Sequence, residues 1–155
     1  HTNNSIGVIP RLIDLGVEPF LLPSTLILAV AQRLTKKLCQ DSKEEVKIEG
    51  RAKEIFDDEL KIMPEAARKE FGKAMSQTMY AGVASATCPQ GTKGRIGVFE
   101  VLEMTPQLEK IVLSGPSEPK IAEEALRQGM MTLKQDGLIK VLKGVVGIKE
   151  LLEVV

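Results

Sequence analysis

The sequence has no tryptophan, one tyrosine and four phenylalanines, so aromatics make up only 3% of its 155 residues. That leaves little for bases to stack on and argues against a single-strand nucleic-acid binder. Neither sign of charge is in excess: Lys+Arg and Asp+Glu are 21 each. A long-range pull toward nucleic acid or an acidic membrane is therefore not expected, and nucleic acid is not an expected partner. Two cysteines, Cys39 and Cys88, make no disulfide framework, and nothing else suggests secretion. One histidine, His1, leaves no Ser/His/Asp or Cys/His hydrolase set to assemble. The longest apolar run, FLLPSTLILAVA, falls short of the roughly 20 residues that span a bilayer, and Pro23-Ser24-Thr25 interrupt it. There is no signal peptide, no initiator methionine, no internal repeat and no G-x-x-x-x-G-K-[ST] phosphate loop. A cytoplasmic piece of a larger protein is the simplest expectation.

What is present is ordinary globular composition, 43% hydrophobic and 27% charged. A chain of this size folds as one domain and buries roughly 68–70% of its unfolded surface. Asn3, Asn4 and Ser5 offer cap side chains before Ile6, Ile9, Leu12 and Ile13, which share a helical face, and Gly16 reads as its stop. Pro19 opens a second short helix that Pro23 bends or restarts. Residues 29–37 read as a strand. Residues 40–75 are dense in charge, with Ile48, Ile55, Phe56, Leu60 and Phe71 spaced like helix cores. One to three short helices or an inserted subdomain are expected there. TMYAGVASATC and RIGVFEVLEM read as strands, so 78–102 is expected to form a hairpin-like pair with a long loop. The last third is helical: Thr105-Pro106 starts one helix, Ser117 caps the next and Gly129 ends it. Thr132-x-x-Gln135 is a capping box, and Gly147 precedes a short closing helix.

Few residues carry chemistry. His1, ahead of a helix start, can point at an anion, or it is simply an exposed terminal residue. Arg33 and Arg95, in AQRL and KGRIG, can fork onto phosphate or carboxylate, or pair with a neighbouring acid such as Glu100. Cys39-Gln-Asp-Ser42 and Cys88-Pro-Gln-Gly91 each lack the second cysteine of a structural zinc pair, and two thiolates cannot close a tetrahedral site. Asp57-Asp58-Glu59 and Glu123-Glu124 read as solvated helix faces. No active site is complete.

HTNNSIGVIPRLIDLGVEPFLL followed by AQRLTKKLC resembles the C-terminal ATPase domain of the secretion ATPases of type II secretion and type IV pilus assembly, the GspE/PilB family. KGRIGVFEVLEMTPQLEKIVLSG and GMMTLKQDGLIKVLKG agree in order and spacing, and residues 43–77 agree least. The resemblance implies an α/β fold, the C-terminal portion of a RecA-like P-loop ATPase domain with a helical insert and a helical C-terminal bundle. Residues 1–39 would be core, 40–91 the insert with the remnant of a tetracysteine region, and 92–155 a strand plus C-terminal helices.

His1-Thr2-Asn3 matches the family's histidine box, whose histidine lies near the γ-phosphate. The phosphate loop, acidic box and Walker B segment lie upstream of that box, so the chain is expected to resume a longer protein in mid-site. The resemblance further implies ATP and Mg²⁺ in the intact protein, a cytoplasmic homo-hexamer peripheral to the inner membrane, and a platform protein in that membrane as partner. Arg33 and Arg95 become candidates for nucleotide or subunit-interface contacts. Zinc is expected to be absent, because Ser42 and Gly91 stand where the family's second cysteines would be. Val146-Gly147 replaces the family's Thr-Ser cap before the last helix. Two rival expectations stand beside this one. The first is a free-standing adaptor module derived from such an ATPase, and the second is a metal-dependent module using Cys39 and Cys88.

Overall fold

The computed structural model describes residues 2–74 and 78–155. The architecture is mixed α/β. In chain order it runs α1 (Val8–Asp14), a 3-10 turn (Pro19–Leu21), α2 (Leu22–Thr25), β1 (Leu28–Leu38), β2 (Lys43–Lys47), α3 (Gly50–Ile62) and α4 (Glu65–Ala74). Then come β3 (Thr78–Gly82), β4 (Thr92–Glu103), α5 (Pro106–Leu113), α6 (Glu118–Arg127), α7 (Leu133–Leu142) and α8 (Ile148–Leu152). Contacts divide the chain into two units, residues 1–31 with 100–131 and residues 32–99 with 132–155, with boundaries inside β1, inside β4 and just before α7.

The first unit is built on a core of Ile9, Leu22, Ala29, Leu102, Leu108, Val112, Ile121, Ala125 and Met130. The local signals for its helices are direct. Thr105 accepts from the Leu108 N–H at 3.2 Å and caps α5, with Pro106 at the first helical position. Gly16 and Gly129 end their helices at φ 91° and 83°, a conformation that costs any other residue more. Ser117 is the cap position of α6, but its side chain makes no capping bond. The start of α1 differs from the sequence expectation: its cap residue is Gly7, while Asn4 Oδ1 accepts from the Gly7 N–H at 2.9 Å, one turn early.

In the second unit, α3 contacts α4, and α7 contacts α4, β3 and α8. Phe56, Met63, Phe71, Leu38, Met79, Leu138, Val141, Val146 and Leu151 are all buried. Both bonds of the capping box form: Thr132 Oγ1 accepts from the Gln135 N–H, and Gln135 Oε1 accepts from the Thr132 N–H, each at 3.2 Å. Thr35 Oγ1 donates to the Glu150 carbonyl at 2.8 Å, fixing β1 to α8.

Two strand expectations are corrected. Lys43–Lys47, expected within a helical segment, is β2 and pairs antiparallel with β3, setting Val46 opposite Met79. Pairing and the burial of Met79 override the weak strand propensity of the KEEVK run. Lys43 supports it by donating to the Gly144 carbonyl at 2.9 Å and lying 4.7 Å above the Tyr80 ring. The hairpin expected over 78–102 does not form: β3 pairs with β2, and β4 with β1. The strand from Thr78 stops at Gly82, where the chain meets Gly91.

Gly137 sits in the middle of α7, where a glycine ordinarily costs about 1 kcal/mol relative to alanine. A Cβ there would run into Leu151 Cδ1 and lie 2.8 Å from Cδ2. Leu151 is fully buried and has no room to swing aside. Overpacking of this kind costs roughly 1–3 kcal/mol. Gly137→Ala is therefore expected to destabilise the protein by about 1 kcal/mol despite the better helix former. The shift of the urea midpoint measures it, and a gain in stability contradicts this account.

Candidate functional site

The residues after His1 form the turn that starts α1. His1 itself lies outside the described residues. Thr2, Asn3, Asn4, Arg11, Asp14 and Glu118 line a cavity of about 350 Å³, all within the first unit. Its walls hold one cation and two carboxylates, a balance that does not by itself draw in a phosphate.

The turn is tied down by a residue the sequence reading named only as a salt-bridge partner. Glu100 Oε1 accepts from the Ser5 N–H at 2.9 Å and from Ser5 Oγ at 2.6 Å. Both residues are buried, Ser5 fully and Glu100 at 3% exposure. The signal was in the strand: in Val98-Phe99-Glu100-Val101-Leu102 the even positions face inward, which puts an acid on the buried register. Ser5 had read as a cap for α1; its hydroxyl instead faces Glu100.

Arg33 is half-buried on β1 and Arg95 is exposed on β4, the two strands that pair. Both belong to the second unit, and the cavity beside Thr2 draws its walls from the first.

Cys39 and Cys88 are free thiols, both buried, brought together by adjoining turns. The Cys39 N–H donates to the Gly91 carbonyl at 3.0 Å, and the Gly91 N–H to the Cys88 carbonyl at 2.9 Å. The Cys88 thiol donates to Cys39, which holds Cys39 below the ordinary thiol range and pushes Cys88 above it. Ser42 Oγ is buried beside them. Two thiols and a hydroxyl do not fit tetrahedral zinc, which takes four N/S ligands in its structural sites. A side chain at position 91 is disfavoured as well. Gly91 has φ 68°, and a Cβ on it would lie 2.7 Å from the Gly82 carbonyl carbon. Among the described residues no group of three or more His, Cys, Asp or Glu gathers as metal ligands.

The acidic runs are not uniformly solvated faces, as their sequence suggested. Glu59 is buried, with Lys134 Nζ at 2.9 Å and the Gln135 amide at 3.3 Å. Glu124 is buried and receives Arg127 Nε at 2.6 Å, Arg127 Nη2 at 2.7 Å and Thr105 Oγ1 at 2.9 Å. The helical spacing that exposes Glu123 turns its neighbour inward. Arg127 above all, with Thr105 and Gln128, lowers the Glu124 carboxyl to about 2 from 4.5.

A depressed carboxylate adds stability above its unfolded pKa and loses it as pH falls from about 4.5 toward 2. At about 1.4 kcal/mol per unit, less screening at the exposed Arg127 head, roughly 2 kcal/mol is at stake. Urea midpoints measured from pH 5.5 down to 2.5 are expected to fall, and Glu124→Gln to flatten the fall. An equal slope in that variant assigns the acid sensitivity elsewhere.

These elements define a mixed α/β protein. Comparison with known proteins gives its family. The family model described as "Type II/IV secretion system protein" matches residues 1–153. The chain belongs to this family. It is 31% identical to the type IV pilus assembly ATPase PilB of Pseudomonas aeruginosa, over 97% of the chain and 25% of that protein. It is 31% identical to the type II secretion system ATPase E of Vibrio cholerae, over 99% of the chain and 28% of that protein. It is 36% identical to the type II secretion system protein E of Xanthomonas campestris pv. campestris, over 99% and 25% respectively. The chain thus spans about a quarter of the length of the relatives it matches. No helix among the described residues is long and apolar enough to cross a membrane.

Proposed function

We propose that this chain is the C-terminal part of the ATPase domain of a motor that powers type IV pilus assembly or type II protein secretion by ATP hydrolysis. The observation that carries the reading is the family match over residues 1–153; the resemblance of His1-Thr2-Asn3 to the family's histidine box supports it. In this reading the domain is RecA-like and works as a cytoplasmic hexamer against an inner-membrane platform protein. Residues 40–91 are its insert, held by packing rather than zinc.

Phosphoryl transfer to water needs a γ-phosphate held in line by a phosphate loop and Mg²⁺. The 155 residues contain no such loop. The carboxylate-rich cavity beside Thr2 is no substitute for one. The chain's part is therefore to bring His1 to the phosphate and to transmit the change through α1 and β4, with Arg33 and Arg95 meeting nucleotide or a neighbouring subunit. Residues 1–155 alone are expected to give no ATP turnover, and the full-length protein to hydrolyse ATP with Mg²⁺. A coupled phosphate-release assay on both decides it. Turnover by the short chain, or none by the full-length protein, overturns the reading.

A further inference from the structure

We propose that Glu100 is a positioning residue for ATP hydrolysis: its carboxylate holds Ser5, and so the turn that follows His1, in the arrangement the nucleotide site uses. This rests on the reading of His1 given above.

A buried carboxylate is a costly way to fill a strand face. Taking it out of water is penalised by several kcal/mol unless its lone pairs are met. Its neighbours on the inward register of β4 are Val98 and Leu102. An apolar residue of similar volume at 100 would serve folding as well or better, since replacing buried charges by packed apolar groups is often neutral or stabilising. What an apolar residue cannot do is accept two bonds at one oxygen from a single residue, as Glu100 does from the Ser5 amide and hydroxyl. Bonds to a charged acceptor are shorter and more directional than neutral ones. Together they fix both the backbone and the side chain of Ser5.

The turn is braced internally as well. The Val8 N–H donates to the Ser5 carbonyl at 3.3 Å, and Asn4 Oδ1 accepts from Gly7. Those bonds set the shape of the turn. Its place is set by Ile6, Val8 and Ile9 packing in the core of the first unit, by Ser5 Oγ reaching Met130 Sδ at 3.6 Å, and by Glu100, 95 residues away in sequence, on a strand whose backbone is already fixed. Catalysis is sensitive to such placement, because a shift of about 1 Å in a positioned group costs on the order of 100-fold in rate.

The test uses steady-state ATP hydrolysis by the full-length protein, with thermal unfolding of each variant alongside. Glu100→Ala is expected to lower kcat at least tenfold with KM for ATP within threefold. Glu100→Gln keeps a neutral acceptor and is expected to fall between that variant and wild type. Ser5→Ala keeps the amide bond and loses the hydroxyl, so a loss of several-fold in kcat is expected. The double variant Ser5→Ala/Glu100→Ala should be no slower than Glu100→Ala, since both act through one contact. If Glu100→Ala does not fold, Ser5→Ala and Glu100→Gln carry the test. Unchanged kcat in both, with only the melting temperature lowered, overturns the proposal and leaves Glu100 a packing residue. His1→Ala separates the two levels. A rate lost in His1→Ala but kept in the Glu100 and Ser5 variants sinks this inference alone. A rate kept in His1→Ala removes the reading beneath it.

Discussion

Replacing His1 by alanine in the full-length protein is expected to cut kcat for ATP hydrolysis about 100-fold, with nucleotide affinity within a few-fold of wild type. A side chain that meets the γ-phosphate as charge develops contributes more to the transition state than to the bound nucleotide. Removing it should therefore lower kcat and kcat/KM together and leave binding alone. The size follows from groups of this kind, for which losses of roughly 10²–10³ are typical. At about 1.4 kcal/mol per factor of ten, that is about 3 kcal/mol of barrier. Among the described residues lining the Thr2–Asn4 cavity, the one cation is Arg11, which shares it with Asp14 and Glu118. A rise in KM at constant kcat would make the histidine a binding contact. An unchanged rate would make the box structural and end the functional carry-over at its best-matched residue.

The sequence made the helices of the last third legible because their signals are local. Thr105-Pro106, Gly129 and the Thr132–Gln135 box each act within four residues, and each forms as the residue types require. Strand β1 was legible for a related reason, since 29–37 lies inside Leu28–Leu38. Strand pairing was not. Whether the strand at Thr78 pairs with residues 92–103 or with 43–47 is decided by which surfaces meet, and β2 is a charged run with one apolar residue at Val46. Its pairing with β3 depends on burying Met79, a fact no local window holds.

The site follows the same division. His1-Thr2-Asn3 is a candidate through family resemblance alone, because a single histidine states no chemistry by itself and His1 lies outside the described residues. Arg33 and Arg95 were drawn from strand context, and the structure sets them on the paired strands β1 and β4. Glu100 was legible in principle: its parity on β4 matches Val98 and Leu102, and an acid on an inward register is a flag. Its partner Ser5 was not, since nothing in the sequence joins positions 5 and 100. The acidic runs misled because charge on a helix was read as one face. Glu59 and Glu124 each occupy the turn of the helix that faces inward.

Phe56→Ala is expected to be the most damaging single truncation in the second unit, at about 3–5 kcal/mol. Apart from the Phe56 ring, helix α3 is held through its buried Glu59, which meets Lys134 and Gln135. Its cap residue Glu49 makes no side-chain capping bond, its first turn carries no acid, and its inward positions are few. Short polar helices owe their stability to the face they bury rather than to propensity. Phe56 supplies that face: it is fully buried, with its ring centroid 5.8 Å from that of Phe71 on α4. Tilted aromatic pairs add about 0.5–1.5 kcal/mol beyond area. Removing one ring leaves the other facing a cavity. Against a total stability of roughly 5–15 kcal/mol, the loss is large. At 2–4 °C per kcal/mol for a chain of this size, Tm should fall by roughly 10 °C. Phe71→Ala should behave alike, and the double variant should cost less than the sum, because the two changes share one contact. Phe20→Ala, at 65% exposure, is the matched control and should stay within about 0.5 kcal/mol. A cost below about 1 kcal/mol for Phe56→Ala would mean that something else holds residues 50–74 in place.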